Sequence, residues 1–177
     1  GPSAIDLHVH CRDFQESHKE TFESCDEAAL KGGVSTLVAM ANSRPRLDDP
    51  RSLQAFREKT EKRVASFFTF AAVTRNLEGR ETTNWDALLK DPCVAGLSDD
   101  GRPLENAELM EKALAATKKA GKVLSLHEED LNHSRKSQIH FSETSLRAGL
   151  EGSPAISEYG MVERDIAIAK KLKAPLH

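Results

Sequence analysis

Short apolar runs recur along this chain, each followed by a polar loop and a helix-forming stretch, and this alternation constrains the fold more than any other feature. The runs are Ala4–His10, Val34–Met40, Val64–Val73, Cys93–Leu97 and Val123–His127, with Pro175–His177 reading as the opening of one more. Val34–Met40 is mostly β-branched or apolar, the pattern of a strand covered on both faces. Between the runs, helices are expected over Glu20–Lys31, Arg51–Arg63, Thr83–Lys90, Asn106–Ala120, Glu143–Ala148 and Glu158–Leu172. Gly32-Gly33, Gly121 and Gly149 stand where helices end, and Pro50 where one begins.

Apolar strands alternating with helices make a parallel sheet. A doubly wound sheet and a TIM-type barrel both satisfy that much. A dinucleotide-binding sheet wants a glycine-rich loop after its first strand; here that loop is Cys11-Arg12-Asp13-Phe14-Gln15-Glu16, with no glycine. His8, His10, Asn42, Asp99, Asp100 and His127 instead sit at or just past the C-terminal ends of different strands. That is where a (β/α)8 barrel gathers its chemistry. The fold expected is therefore α/β, a TIM-type barrel, with these residues supplying about its first five to six strands. There is no linker or change of composition, so residues 1–177 are expected to be the N-terminal portion of a single barrel.

His8 and His10 are two residues apart on a strand and so share a face. Two neutral imidazoles side by side suit a borderline metal such as zinc; the plainer reading is a strand end that meets solvent. Arg12 follows with a permanent charge able to hold an anionic substrate. Asp99-Asp100-Gly101 is either a simple turn or the source of a carboxylate shared by two cations about 3.5–4 Å apart. His127 is either a further ligand or a hydrogen-bonded strand-end histidine. Glu128 and Glu129 beside it either fix its tautomer or are solvated. Asn42 and Arg44 follow the second strand, where an amide can meet a substrate's polar edge or merely shape a turn. His18, His133 and His140 are expected at the surface, and Met40, Met110 and Met161 in the core.

The chain's net charge of −3 and scattered Lys and Arg leave no basic stripe, which argues against nucleic acid as a partner. No apolar run is long enough to span a membrane, and the start lacks the pattern of a secretory signal. Three widely spaced cysteines, Cys11, Cys25 and Cys93, fit a reducing cytoplasm better than a disulfide framework.

Several stretches, in order, carry a family resemblance: Ile5-Asp6-Leu7-His8-Val9-His10-Cys11-Arg12-Asp13, Lys19–Ser24, Gly32–Thr36, Asp99–Pro103, His127-Glu128-Glu129-Asp130, and Ser142–Ala148 leading to Arg164-Asp165. Together they resemble the dihydroorotases of the amidohydrolase superfamily, the type I bacterial group in particular. The resemblance implies a zinc-dependent cyclic amide hydrolase that interconverts N-carbamoyl-L-aspartate and dihydroorotate in pyrimidine synthesis. It implies two Zn2+ per complete site, with His8 and His10 on the more buried ion and His127 on the second. Asp100 would bridge them at the position of the attacking water, where many relatives use a carbamylated lysine. Arg12 and Asn42 would hold the carboxylate of the small-molecule substrate. The type I group also implies aspartate carbamoyltransferase as a possible partner.

Where the family has Met-Pro-Asn after the second strand, this chain has Met40-Ala41-Asn42, keeping the asparagine. His177 corresponds to the histidine before a further ligand, and the aspartate of the last barrel strand is not in this sequence. These residues alone are therefore expected to be inactive. They would form an open barrel whose edges and interior are covered by the rest of a longer chain, a partner or a second copy. Two other readings stand beside this one: a sister enzyme such as an allantoinase or hydantoinase, and a metal-free scaffold subunit for aspartate carbamoyltransferase.

Overall fold

The structure, a computed structural model, describes residues 1–134 and 137–177. Five strands form one sheet: β1 (Ala4–Val9), β2 (Val34–Ala39), β3 (Ser66–Ala71), β4 (Val94–Ser98) and β5 (Val123–Ser125). All neighbours are parallel, and the spatial order is the chain order. A doubly wound sheet reverses direction at its first strand; this one never does, so it is the wall of a barrel. The segment Pro175–His177 pairs alongside β5, with the His177 amide donating to the Leu124 carbonyl and the Leu126 amide to the His177 carbonyl, both at 2.9 Å. It is the expected opening of a sixth strand.

The helices are α1 (Phe22–Lys31), α2 (Pro50–Thr60), α3 (Trp85–Leu88), α4 (Ala107–Lys119), α5 (Glu143–Arg147) and α6 (Ile156–Leu172). Their starts follow capping chemistry more closely than apolar periodicity does. Thr21 accepts from the Ser24 amide at 3.1 Å, so α1 begins at Phe22 and not at Glu20. Asp49 and Ser52 form the same reciprocal box ahead of α2, with Pro50 in its first turn. Asn84 and Asn106 cap α3 and α4.

Most of the core lies between the sheet and these helices. Phe22 of α1 meets Phe14, Phe56 and Phe67 edge-on, with ring centroids 5.3–5.8 Å apart; each such pair adds about 0.5–1.5 kcal/mol to the area buried. A second, smaller cluster, Val38, Met40 and Phe70, lies on the opposite, inner face of the sheet. Gly96 lets β4 and β5 close there: a Cβ would fall 1.8 Å from the Val123 carbonyl oxygen. Met110 and Met161 are buried as expected.

β1 is not covered on both faces. Ile5 and Leu7 are 61% and 58% exposed, because β1 is an edge strand and among the described residues no helix covers their side. At the other edge an apolar groove of about 630 Å³ runs between Leu126, Leu176 and the α6 residues Val162, Ile166 and Ala169. The polar loop Asp13–Ser17 contains a turn of 3-10 helix and two buried carboxylates. Asp13 accepts from the Phe22 amide at 2.8 Å and from the Lys59 Nζ at 2.9 Å, which offsets the cost of its burial. Among the described residues no helix is long and apolar enough to cross a membrane.

Candidate metal centre

The C-terminal ends of β1, β4 and β5 bring three imidazoles around one carboxylate. His8 Nε2 lies 3.5 Å from Asp100 Oδ1, His10 Nε2 lies 3.3 Å from Oδ2, and His127 Nδ1 lies 3.5 Å from Oδ1. The His8 and His10 rings are 5.3 Å apart, as their two-residue spacing predicts. β1 reaches this geometry through a bulge: from Asp6 to Val9 it advances three residues while β2 advances two, from Leu37 to Ala39. Bulges of this kind re-aim side chains at the rims of barrels.

The donors fit a divalent cation. Donor atoms of His8, His10 and Asp100 all lie within 4.8 Å of one another. A tetrahedral ion with bonds near 2.0–2.1 Å holds its ligands about 3.3 Å apart, close to the 3.3–3.5 Å separations here. His127 reaches the same carboxylate from β5, from a direction outside that group of three.

Asn42 does more than the sequence reading assigned to it. Its Oδ1 faces His10 Nδ1 at 3.2 Å and the Arg12 guanidinium at 3.5 Å, while its Nδ2 donates to the Asp100 carbonyl and to Oδ2, each at 3.3 Å. All four contacts agree on one orientation of the amide. They place the His10 proton on Nδ1 and leave the Nε2 lone pair aimed at the centre, the role that partners of metal ligands play. The loop holds this position with alanine at 41: Arg46 donates to the carbonyls of Asn42 and Ser43, and the Leu47 amide to that of Ala41. Arg12 lines the same cavity of about 590 Å³ as His8, His10, Asn42, Asp100 and His127.

The two glutamates after His127 have different partners. Glu129 lies 3.4 Å from His127 Nε2. Glu128 faces α6, where Arg164 grips Asp165 with bonds of 2.7 and 2.9 Å. Asp99 and Asp100 also diverge. Asp99 is 2% exposed and accepts from the amides of Val73 and Thr74 and from the Thr74 hydroxyl. That staple was not legible in the sequence, where Asp-Gly reads only as a turn. His18, His133 and His140 are exposed and outside the site.

Burial works against a charged Asp100, but the hydrogen bond from His127 and the nearby His10 and His8 outweigh it and hold the carboxyl below its usual range. The same hydrogen bond lifts His127 above 6.5, against the effect of its burial. His8 is lowered, chiefly by burial, which favours the neutral form a metal needs. Burial, then the charge of Asp165, pushes Glu128 up to about 7.

These shifts set a pH dependence for the metal-free protein. A group whose pKa rises on folding stabilises fully below its unfolded value and loses that contribution as pH climbs through the folded value. For Glu128 the loss runs from 4.5 to beyond 7, and for His127 it begins at 6.5. Asp100 has the opposite sign and matters only as pH falls below 3.8. Thermal unfolding in chelator is thus expected at a lower temperature at pH 8 than at pH 5.5, with Glu128→Gln flattening the slope. Each kcal/mol involved corresponds to roughly 2–4 °C. A melting temperature that rises over this range would refute the assignment.

With the geometry in hand, comparison with known proteins is specific. A family model described as dihydro-orotase-like matches residues 2–176. The chain is 36% identical over 176 residues to a dihydroorotase of Lactococcus lactis, covering 99% of this chain and 41% of that protein. It is 37% identical over 180 residues to one from Streptococcus pneumoniae, covering 99% and 42%. The chain thus spans about two-fifths of the length of these curated relatives. Among solved structures it superposes on an L-hydantoinase (dihydropyrimidinase) from Arthrobacter aurescens with a TM-score of 0.77 at 16% identity, covering 99% of this chain and 40% of that one. A dihydroorotase from Saccharomyces cerevisiae, in complex with 5-fluoroorotic acid, gives 0.62 at 14% identity, covering 99% and 46%. At such identities the structural likeness speaks for the fold, a barrel of which this chain supplies a part.

Proposed function

The chain belongs to the dihydro-orotase-like family, and on that footing we propose that it forms part of the active site of a zinc-dependent dihydroorotase. The reaction is the reversible closure of N-carbamoyl-L-aspartate to dihydroorotate. One observation carries this reading: His8 and His10 from the end of β1 and His127 from the end of β5 converge on Asp100 past the end of β4, at the spacing a cation's ligands adopt.

In this reading His8, His10, Asp100 and His127 are the residues that would hold two zinc ions. Such ions polarise a carbonyl and bring the pKa of a water down toward neutrality. The protein's own part is to position. Asn42 keeps His10 in the tautomer that offers Nε2, and Glu129 does the like for His127. Asp100 stays anionic at neutral pH and so keeps its lone pairs available. Arg12, beside Asn42, holds the substrate carboxylate and turns the ring amide toward the four ligands. In ring opening, water adds at that amide carbonyl carbon, the carbon–nitrogen bond breaks, and the nitrogen takes up a proton. Closure reverses these steps.

Arg12 favours this substrate over the uncharged rings of the sister enzymes, because a half-buried guanidinium pairs with a carboxylate and gains nothing comparable from a neutral ring. The presence of His8, His10, Asp100 and His127 together supports a metal-bearing enzyme over a metal-free scaffold. Residues 1–177 are read as the N-terminal portion of one barrel, inactive until the remaining strands complete the rim. Cytoplasmic location, supported by three free buried cysteines, and association with aspartate carbamoyltransferase belong to the same proposal.

The test pairs zinc binding with turnover. The 177-residue polypeptide is expected to bind zinc without closing carbamoyl aspartate, and the longer protein that contains it to do both. Zinc content near zero in the longer protein, with no turnover, would favour the scaffold; turnover of hydantoin with none of dihydroorotate would favour the sister enzyme.

A further inference from the structure

A second cavity, of about 190 Å³, opens beside the metal-site cavity and shares Arg12, Asn42, Asp100 and Gly101 in its wall. Three more arginines, Arg44, Arg46 and Arg102, line it. Its other carboxylate, Glu16, is occupied by the Lys19 Nζ at 2.6 Å. Arg46 is committed to the carbonyls of Asn42 and Ser43. Arg44 and Arg102 are exposed, and among the described residues neither guanidinium has a hydrogen-bond or ion-pair partner. Solvated arginines are ordinary. Four guanidiniums around one small cavity repel one another, however, and burial together with Arg44, Arg102 and Arg12 accordingly pulls the Arg46 pKa down. Arg46 is held there by the loop and Glu16 offsets part of the repulsion, but no contact among the described residues engages the Arg44 and Arg102 guanidiniums, and an entering anion would relieve what remains.

The size of the cavity limits the anion. At about 30 Å³ per water, it has room for a carboxylate with several waters, and it is about a third the size of the adjoining cavity. The ring has space in the adjoining cavity, against the imidazoles. We propose that this basin is an anion subsite in which Arg44 and Arg102, alongside Arg12, hold the carboxylate of an N-carbamoyl dicarboxylate or its ring form, and so select it over a ligand lacking that group. This rests on the functional reading above and adds two specificity-determining residues to it. Planar guanidiniums are the side chains best shaped for such a group.

Calorimetric titration of the longer protein tests it with two ligands, N-carbamoyl-L-aspartate and N-carbamoyl-β-alanine, which differ only in that carboxylate. The unsubstituted protein is expected to prefer the first. Arg44→Gln with Arg102→Gln should shrink that preference roughly tenfold or more and leave the affinity for N-carbamoyl-β-alanine unchanged. Added salt should erode the preference as well, since both side chains are exposed. Circular dichroism on the double variant checks that its fold is intact. If carbamoyl aspartate is turned over but the double variant keeps the full preference, the subsite is wrong and the enzyme reading stands. If the unsubstituted protein neither prefers nor turns over carbamoyl aspartate, both fall.

Discussion

Asp100→Asn is expected to remove zinc binding while leaving the fold in place. The substitution keeps the size of the side chain and one carbonyl oxygen, but it deletes the charge on which three imidazoles converge at 3.3–3.5 Å. Losing a hydrogen-bond partner of a metal ligand typically costs about 10–100-fold in affinity. Losing the carboxylate itself should cost at least about 100-fold. Turnover in the longer protein should disappear with it. A second readout needs no metal: the hydrogen bond to Asp100 is the main cause of the raised His127 pKa. In metal-free Asp100→Asn, NMR titration of His127 should therefore show its pKa lowered relative to the unsubstituted protein. Wild-type zinc affinity in this variant would remove Asp100 from the centre, and an unchanged His127 titration would show that the contact does not form.

Asp99→Ala, one residue away, should do the opposite, destabilising the protein without touching a ligand. Asp99 is 2% exposed and its carboxylate ties β4 to the end of β3 through the Val73 amide at 2.8 Å, the Thr74 amide at 3.0 Å and the Thr74 hydroxyl. Alanine leaves those donors buried without an acceptor, at about 1–3 kcal/mol each. Burial raises the Asp99 pKa, against the hydrogen bonds from Thr74 and Val73, so part of what the bonds contribute is already offset. A net loss of roughly 3–5 kcal/mol is expected, a large share of the ~5–15 kcal/mol that holds an ordinary domain folded. Asp99→Asn retains one acceptor oxygen and should lose less. Urea unfolding measures both: the midpoint should fall with the slope unchanged. A shift below about 0.5 kcal/mol for the alanine variant, the range of a neutral surface change, would mean that the staple carries no load.

These two aspartates show where reading the chain succeeds and where it stops. Asp100 could be singled out because it stands past a strand end in a chain that also offers His8, His10 and His127 past strand ends. A parallel barrel gathers such positions at one rim. Asp99 sits in the same turn with the same chemistry, and a linear pattern cannot tell which of the two points inward. The same holds for Glu128 and Glu129: one faces Asp165 and Arg164, the other His127. Asn42 was legible as a polar residue near the site, but its hold on the His10 tautomer was not, because that depends on a bulge in β1 and on Arg46 gripping the loop.

The sequence by itself determined the alternation of strands and helices, the barrel over the doubly wound sheet, and that imidazoles and acids past several strand ends gather at one rim. Those follow from periodicity and from the direction all parallel strands share, which are local properties repeated along the chain. Only the tertiary structure decided which neighbouring acid serves the centre, that Ile5 and Leu7 lie uncovered at an edge, and that four arginines crowd one cavity. Each of these depends on distances between residues far apart in the chain, and such distances are set by packing, bulges and hydrogen-bonded loops that leave no periodic trace.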